Sequence, residues 1–339
     1  MSVIIPYYQN QRTIGPCLSA FLAVETGAHS LDLVLIDDGS APPLLERLPR
    51  HLKEHPKLQI IQTPHVGQTE ATNIGAQHAQ GEFLWFSCAD ILPEPNSLLL
   101  HLQYHLENKN PIVTLGPSPY TQDLKSSTFV QYLELSGRQF NYPDQAGMVD
   151  KPGYLYSTNF IVPKRSFLEV GGFDKVFPYG YQDYDLSVWL SRNGIHCHYI
   201  PDALVWHDHP ITFEQYYSRE QKVGTSTLDF EKRYLSSQFK RGELYDNFRD
   251  LIKIIKHKKQ IHQRIDRLEP RIFGKLDLRL KSHEELYNLY EAALMGARIE
   301  GMLTRFTEMR EFYKFPQDIL GEFETITPPA HFSQPIESR

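Results

Sequence analysis

The first 116 residues alternate between short apolar runs and longer stretches with apolar residues at helical spacing. The apolar runs are typical of buried strands: SVIIPYY (2–8), LDLVLID (31–37), LQIIQT (58–63), EFLWFS (82–87) and PIVTLG (111–116). The stretches between them predict helices over roughly 12–25, 43–54, 69–80 and 96–107. Strands that alternate with helices of this size predict an α/β fold, in which helices flank a mostly parallel central sheet on both faces.

The rest of the chain has a different pattern. The stretch 150–210 is dense in glycine, aromatic and acidic residues. Within it, the glycines at 171–172 predict a tight turn, QDYDLSVWLSRNG predicts a helix that ends at Gly194, and HCHYI and ALVWH predict short strands. Residues 212–315 are mostly helical in pattern. The proline-rich segment 325–339 predicts a loose tail.

Composition narrows the class of protein. Of 339 residues, 41% are hydrophobic and 22% charged, and the net charge is −6. These values are typical of a globular protein and argue against nucleic acid as a partner. Cys17, Cys88 and Cys197 form no CxxC pair, which favours a reduced intracellular setting. Neither a leader-like segment nor a long apolar run is present, so we expect a cytoplasmic protein, soluble or peripheral at the inner face of a membrane.

Acidic residues follow two of the predicted strands. Asp37 and Asp38 come directly after the second strand, Asp90 follows the fourth, and Pro6 and Tyr7 close the first. Because ligands of parallel sheets bind beyond the carboxyl ends of the strands, these residues predict a site at that edge. The alternative is that the acids are ordinary turn residues, which is the common role of a sequence such as DDGS. Three such groups at one edge favour the site.

The missing motifs limit what this site can be. The sequence has no GxxxxGK[ST] loop and no GxGxxG after a strand, which argues against a P-loop kinase and a dinucleotide dehydrogenase. Carboxylates can instead hold a hard divalent cation, and the cation can hold phosphate oxygens.

Two other positions carry side chains suited to catalysis or metal binding. Asp183 lies in the first turn of a predicted helix, on the same face as Leu186 and Leu190. The helix N-terminus favours an ionised carboxylate there, which could accept a proton or could only satisfy the helix terminus. His207 and His209 alternate after a short strand, where imidazoles could bind a metal or could be surface residues.

In this order, the segments resemble glycosyltransferase family 2, whose nucleotide-diphospho-sugar transferase fold is called GT-A. The similar segments are SVIIPYYQNQRTI, LVLIDDGS, HVGQTEATNIGAQHAQGEFLWFSCADILPEP, STNFIVPKRSFLEVGGFDKVF, GYQDYDLSVWL and VWHDHPITFEQYYSREQKVG. The resemblance implies a GT-A catalytic domain over 1–225, with a nucleotide-sugar half at 1–117 and an acceptor half at 118–225. A C-terminal helical extension over 226–324 would follow it.

The resemblance also implies the reaction and the residues that perform it. The reaction would move a hexose or N-acetylhexosamine from a nucleotide-diphosphate sugar, with a UDP-sugar favoured, to a glycan or other hydroxyl, with inversion, as in polysaccharide biosynthesis. Asp90 and His207 would bind a divalent cation, Mn²⁺ or Mg²⁺, and Asp183 would be the general base. The residues implied to contact the substrates are Pro6, Tyr7, Asp37, Asp38, Asn73 and Gln182.

Four positions depart from the family pattern. Cys88 stands where the first acid of a D-x-D motif is expected, and Gln182 stands where an acid often precedes the base. Thr72 and Gln9 replace an arginine and an asparagine. These departures leave open a catalytically silent homologue that binds a nucleotide or a partner protein, and a retaining transferase also remains open. A nucleotidyltransferase is disfavoured, because YYQNQRTIG after the first strand is not a glycine-rich loop.

The segment 249–281 holds eleven Lys and Arg residues against four Asp and Glu. This pattern is common on a solvated helix face, but it also suits peripheral contact with anionic lipid headgroups. The segment has apolar residues at helical spacing as well, including Ile254, Ile261 and Ile265. We therefore expect the extension to cover the acceptor pocket or to form a homo-oligomer contact.

Overall fold

The structure, a computed structural model, describes residues 1–149, 151–234 and 241–326, with the side chains of 241–246 and 324 excepted. The chain forms two compact units. The first comprises Met1–Lys125 and Leu133–Pro210, and the second comprises Ser126–Tyr132 and the chain from Ile211 onward. The predicted end of the catalytic region, residue 225, therefore falls within the second unit. The functional subdivision of the chain stays a prediction.

The strands all lie in the first unit. They are β1 (Ser2–Tyr7), β2 (Asp32–Asp38), β3 (Leu58–Thr63), β4 (Phe83–Phe86), β5 (Ile91–Pro93), β6 (Val113–Leu115), β7 (Gly147–Val149), β8 (Phe160–Pro163), β9 (Cys197–Tyr199) and β10 (Val205–His207). Its helices are α1 (Gln11–Leu22), α2 (Leu44–Arg47), α3 (Arg50–Lys53), α4 (Gln68–His78), α5 (Ser97–Glu107), α7 (Lys164–Glu169) and α8 (Gln182–Arg192), and α6 (Thr128–Ser136) joins segments of both units.

Eight strands form the central sheet, in the order β3-β2-β1-β4-β8-β6-β9-β7. The four strands from β3 to β4 are parallel, and β6 is parallel to β9. Strand β8 runs antiparallel between β4 and β6, and β7 is antiparallel to β9. The predicted α/β fold with a mostly parallel sheet flanked by helices is confirmed. The remaining strands, β5 and β10, pair separately as a two-stranded sheet.

Apolar side chains that alternate along the strands form two hydrophobic layers, one on each face of the sheet. Val3 and Ile5 of β1 pack into one layer with α1, whereas Ile4 packs into the other. This second layer requires close approach by α4. A Cβ on Gly75 would lie 2.4 Å from the Cδ1 atom of Ile36 and 2.8 Å from the Cγ2 atom of Ile4. Glycine at this position therefore allows the helix to pack directly on the sheet.

The predicted helix over 43–54 is wrong, because the chain forms two short helices there, α2 and α3. Pro49 is the N-cap of α3, and Leu48 before it is extended, with ψ of 139°. A proline disfavours the helical conformation of the residue before it and cannot donate the backbone hydrogen bond that a continuous helix needs.

The second unit is helical, as predicted. Its remaining helices are α9 (Phe213–Tyr234), α10 (Arg241–Lys256), α11 (Lys258–Leu268), α12 (Lys281–Leu303), α13 (Phe306–Tyr313) and α14 (Gln317–Ile326). Helices α9 and α12 meet at two glycines, since a Cβ on Gly301 would lie 2.9 Å from the Cα atom of Gly224. The predicted loose tail lies outside the described residues, except for 325 and 326, which belong to α14. Among the described helices, none is long and apolar enough to span a bilayer.

Candidate active site

Strands β5 and β10 bring an acid and a histidine together from distant parts of the sequence. The pair is antiparallel, with Ile91 opposite His207. Asp90 directly precedes Ile91, and its carbonyl oxygen accepts a hydrogen bond of 2.8 Å from the backbone N–H of Asp208. The backbone therefore fixes Asp90 beside the end of β10.

Asp90, His207 and His209 form a compact cluster. The Nδ1 atom of His209 lies 2.8 Å from Oδ2 of Asp90, and the Nε2 atom of His207 lies 3.6 Å from Oδ1 of the same carboxylate. The imidazole rings of the two histidines stack with centroids 5.3 Å apart. One potential ligand atom from each residue lies within 4.8 Å of the other two, which is close enough for all three to bind one metal ion.

The electrostatics of the cluster keep Asp90 ionised. Burial alone would raise the pKa of this carboxyl group, but the charge of His207 and the hydrogen bond from His209 outweigh burial and hold the pKa well below its usual range. A carboxylate can only accept hydrogen bonds, so Nδ1 of His209 is the donor in their contact, and a metal ion that bound this atom would displace its proton. Asp90 is therefore available as an anionic ligand.

Two buried polar atoms of the cluster have no hydrogen-bond partner among the described residues: Oδ1 of Asp90 and Nδ1 of His207. Buried polar groups normally have hydrogen-bond partners, so such atoms call for an explanation, and a bound ion is one. A divalent cation bound to the carboxylate would satisfy Oδ1. The residues therefore fit a metal ion. The mixed donor set of one carboxylate and two imidazoles suits Mn²⁺ better than Mg²⁺, which prefers oxygen ligands.

Asp183, the predicted base, lies at the second position of α8 and is held by a neighbouring loop. Its Oδ2 atom accepts a hydrogen bond of 3.1 Å from the backbone N–H of Ser157, and its Oδ1 atom accepts one from the hydroxyl group of the same residue. Leu186 and Leu190 on the same helix are buried in the core. The leucines thus anchor the helix, and Ser157 orients the carboxylate.

Cys88 links the two acids. The Sγ atom of Cys88 lies 3.8 Å from the carbonyl oxygen of Ser157, whose N–H and hydroxyl bind Asp183. Burial raises the pKa of the Cys88 thiol well above its ordinary value, and the negative charges of Asp90 and Asp183 raise it further. The contact of Cys88 with Ser157 brings Asp183 and the segment that leads to Asp90 into the same region of the structure.

Tyr7 and Asp37 lie together at the carboxyl ends of β1 and β2, and half-buried Pro6 precedes Tyr7. The hydroxyl group of Tyr7 is buried and has no hydrogen-bond partner in the described part of the chain, and burial, followed by the charge of Asp37, raises its pKa. Asp37 accepts hydrogen bonds from the backbone N–H groups of Ser40 (3.2 Å) and Leu44 (2.7 Å), so its carboxylate supports the following loop and the start of α2.

Asp38 supports the loop between β3 and α4. Its Oδ1 atom accepts a hydrogen bond of 2.7 Å from the N–H of Val66, and its Oδ2 atom accepts one of 3.0 Å from the N–H of Gly67. Oδ2 also lies 3.1 Å from Nδ1 of His65. Asp37 and Asp38 are therefore turn-supporting residues in this structure, and their contact with a nucleotide stays a prediction.

Asn73 and Gln182 differ in how their amides are used. The amide of Asn73 makes two hydrogen bonds with the backbone of Phe173, of 2.8 and 3.0 Å, and so holds the turn formed by Gly171 and Gly172. By contrast, the Oε1 atom of Gln182, at the first position of α8, is buried and has no hydrogen-bond partner among the described residues. The contact of Gln182 with a substrate stays a prediction.

The sequence analysis missed two members of this site. His209 was noted only as the neighbour of His207, yet the H-D-H alternation places both imidazoles on one side of an extended segment. Ser157 was not assigned a role. No spacing connects it with Asp183, because the two residues are 26 positions apart and meet only in the folded protein.

Comparison with known proteins agrees with this class of fold and site. Residues 1–222 match the family model described as "Glycosyltransferase like family 2". A pre-mycofactocin glycosyltransferase of Mycobacterium tuberculosis is 25% identical over 242 residues, which cover 69% of this chain and 48% of the relative. An uncharacterized glycosyltransferase of Haemophilus influenzae is 27% identical over 109 residues, covering 32% of this chain and 43% of the relative. The chain thus spans about half the length of the curated relatives it matches.

A solved structure supports the fold. The mannosyltransferase PcManGT from Pyrobaculum calidifontis, in complex with GDP-Man and Mn²⁺, aligns with 96% of this chain and 78% of its own, with a TM-score of 0.50 and 14% identity. The fold and site define the class of the GT-A glycosyltransferases. Because the family model matches well over half of the chain, the chain belongs to glycosyltransferase family 2.

Proposed function

We propose that this protein moves a sugar from a nucleotide-diphosphate sugar to a hydroxyl group of an acceptor such as a glycan. The observation that carries the proposal is geometric: Cys88, two residues before Asp90, contacts Ser157, and Ser157 holds the carboxylate of Asp183. Glycosyl transfer needs two functions close together in one site. These are neutralisation of the leaving diphosphate and removal of the acceptor proton. Asp90 belongs to a cluster suited to the first function, and Asp183 is suited to the second.

Asp183 acts as the general base. As the acceptor oxygen attacks the anomeric carbon, the bond from that carbon to the diphosphate oxygen breaks, and the acceptor proton passes to the Asp183 carboxylate. The two hydrogen bonds from Ser157 fix the orientation of the carboxylate before the substrate binds, so no reorientation is needed during the reaction. Attack opposite the leaving group inverts the anomeric centre.

Asp90, His207 and His209 would hold the divalent cation, which would supply Lewis-acid neutralisation of charge on the leaving diphosphate. The role of these residues is to present one anionic oxygen and two imidazoles at fixed positions. Antiparallel pairing of β5 with β10 provides that rigidity for Asp90 and His207. Mn²⁺ is the favoured ion for this donor set.

Two donor classes deserve direct comparison. The sequence resemblance favours a UDP-sugar, whereas the structural neighbour PcManGT is described in complex with GDP-Man. Within the described residues, Tyr7 and Gln182 each have a buried polar atom without a hydrogen-bond partner, and these atoms can bind the donor or the acceptor. They support a site for a nucleotide sugar, with UDP and GDP as the two nucleotides to compare.

The test is turnover of a panel of UDP- and GDP-sugars, measured as released nucleoside diphosphate with Mn²⁺, with Mg²⁺ or with a chelator. We expect one donor class to be turned over and the chelator to abolish the reaction. Asp183→Asn should lower kcat by about 10²–10⁴-fold, the usual contribution of a general base. The control is Glu169→Gln, an exposed acid paired with Arg165 on the surface. Full turnover by Asp183→Asn would disprove the assignment of the base.

Cys88 favours a second candidate, a silent homologue that binds a nucleotide without transferring the sugar. A neutral thiol stands where family members place an acid, so the site has one negative charge fewer for the metal and ribose. Calorimetric binding of UDP or GDP together with no release from any donor in the panel would favour this candidate over the transferase.

A further inference from the structure

A basic loop, residues 271–281, connects α11 with α12 and carries the most exposed large apolar side chain of the described chain. Phe273 is 85% exposed, Leu280 is 51% exposed and Leu278 is 39% exposed. Large apolar side chains grouped at one surface usually mark an interaction site, whereas single ones do not. The basic loop therefore differs from the scattered exposed residues elsewhere on the chain.

Buried side chains and hydrogen bonds anchor the basic loop. Ile272 and Leu276 are buried, and they alternate with the exposed residues around them. Gln131 donates a hydrogen bond of 3.1 Å to the carbonyl of Gly274 and accepts one from the N–H of Leu276. The N–H of Asp277 donates to Nδ1 of His283 at 2.9 Å. These contacts fix the loop backbone, so Phe273 is presented to the outside by an anchored segment.

The charge of the basic loop is strongly positive. It contains four cations, Arg271, Lys275, Arg279 and Lys281, and a single acid, Asp277. Asp277 binds Arg279 through hydrogen bonds of 2.7 and 2.9 Å. The other three cations are exposed and alternate along the sequence with the exposed apolar residues.

In helices α10 and α11, which precede the basic loop, many of the cations form ion pairs. Their ion pairs are Arg249–Asp318, Lys253–Asp250, Lys256–Glu322, Lys258–Glu300 and Arg264–Glu285. These pairs neutralise much of the positive charge of α10 and α11 within the second unit. Of the basic stretch 249–281, the basic loop is thus the part with both positive charge and exposed apolar surface.

We propose that the basic loop binds the surface of an anionic lipid bilayer. Phe273 and Leu280 enter the boundary between headgroups and acyl chains, while Arg271, Lys275 and Lys281 contact the anionic headgroups. Such a surface offers an apolar layer directly beneath a negatively charged one, which matches a short loop that exposes both large apolar side chains and cations. This inference is independent of the proposed transferase reaction.

The test is sedimentation of the full chain with vesicles of phosphatidylcholine alone or of an equimolar mixture with phosphatidylglycerol. We expect binding to the anionic vesicles that weakens as salt is added. Phe273→Ser should weaken the vesicle affinity about ten-fold or more, as expected for one buried aromatic side chain. The double variant Arg271→Gln with Lys275→Gln should weaken it by about 25-fold, since each cation near such a surface contributes about a factor of five.

Matched controls test whether vesicle binding depends on the basic loop or on any exposed apolar or cationic residue. Leu106→Ser removes another exposed apolar side chain, 64% exposed on α5, and Lys53→Gln with Lys57→Gln removes two exposed cations. Both controls should bind vesicles like the unmodified chain, and all variants should keep their thermal unfolding midpoint. Equal binding to neutral and anionic vesicles, or unchanged binding of Phe273→Ser, would overturn the proposal. So would a shift from dimer to monomer in Phe273→Ser with vesicle binding intact, which would assign the loop to contact between copies.

Discussion

Ser157 binds both carboxylate oxygens of Asp183, through its backbone N–H at 3.1 Å and through its hydroxyl group. The two hydrogen bonds approach the carboxylate from one residue, so they set its plane as well as its position. The same Ser157 accepts a contact from the Cys88 thiol through its carbonyl oxygen. The loop before β8 thus contacts both Asp183 and the segment that leads to Asp90.

Ser157 is a positioning residue, and its hydroxyl group should affect kcat more than binding. In Ser157→Ala the N–H bond to Asp183 remains and the hydroxyl bond is lost, so we expect kcat to fall about ten-fold, the effect of about 1.4 kcal/mol. The Kd of the donor nucleotide should stay within two-fold, about 0.4 kcal/mol. Ser157→Thr keeps the hydroxyl group and should restore most of the activity. Equal loss in both variants, with a lower thermal midpoint, would instead indicate a purely structural role.

His209 should contribute to metal affinity. His209→Gln removes an imidazole from the cluster with Asp90, and we expect Mn²⁺ to bind about 10–100-fold more weakly, the range for residues that support a metal. The measurement is Mn²⁺ titration by calorimetry or electron paramagnetic resonance, which does not depend on turnover. His196→Gln, an exposed histidine, is the control. Undiminished Mn²⁺ affinity in His209→Gln would exclude this residue as a ligand.

A buried histidine pair should make the fold sensitive to acid. His101 binds Asn159 through Nε2 (3.1 Å) and Thr114 through Nδ1 (2.8 Å), and Nε2 of His105 lies 3.0 Å from the same threonine hydroxyl. The side-chain oxygen Oδ1 of Asn159 must accept, so His101 donates from Nε2, Thr114 donates to Nδ1 of His101, and His105 donates to Thr114. Protonation of His101 would remove the acceptor for the Thr114 hydroxyl, so the chain of hydrogen bonds needs this histidine to be neutral.

Burial lowers the pKa of His101 to about 3 and that of His105 to about 4. In the unfolded chain both bind protons near pH 6.5, so the free energy of unfolding should fall as the pH decreases from about 6.5 to about 4. His105→Gln can still donate to Thr114, and it should reduce this fall by about 1–3 kcal/mol. Urea unfolding at several pH values is the measurement, with the exposed His51→Gln as control. If the unfolding free energies of His105→Gln and the unmodified chain changed equally with pH, the assignment would be wrong.

Glu231 on α9 should destabilise the second unit at neutral and alkaline pH. Burial raises the pKa of its carboxyl group to about 7, although the charge of Arg298 opposes the shift, and its Oε2 atom has no hydrogen-bond partner among the described residues. The unfolded carboxyl group titrates near 4.5, so the folded state binds the extra proton between these values. The unfolding free energy therefore falls as the pH rises from about 4.5 to about 7, and the penalty is complete above pH 7.

Glu231→Gln removes this penalty. We expect it to stabilise the protein by about 1–2 kcal/mol at pH 8, allowing for solvent screening of a half-buried carboxylate, and to have little effect at pH 4.5. Thermal unfolding at the two pH values measures the difference. Glu284→Gln, an exposed acid on α12, should show no such pH dependence. A Glu231→Gln variant that is less stable at pH 8 would contradict the assignment.

The sequence predicted the fold well where local pattern and tertiary packing agree. Strand β1 alternates Val3 and Ile5 toward one layer with Ile4 toward the other, and this alternation is readable without a structure. The predicted helix over 43–54 was wrong, because the apolar pattern continued across a proline that divides it into two helices. The antiparallel β8 between β4 and β6 was not predicted either. Strand order depends on which distant segments pair, and the local pattern of apolar residues does not contain that information.

The sequence by itself determined the residue types of the site: the acid after β4, the acid at the start of α8 and the alternating histidines. Only the tertiary structure decided which of them meet, because the pairing of β5 with β10 spans more than a hundred residues and the contact of Ser157 with Asp183 crosses from loop to helix. It also decided which polar groups are already used, such as Asp38 in its loop. The sequence specifies which side chain stands at each position. Only the packed fold determines which side chains lie close together and which polar groups have hydrogen-bond partners.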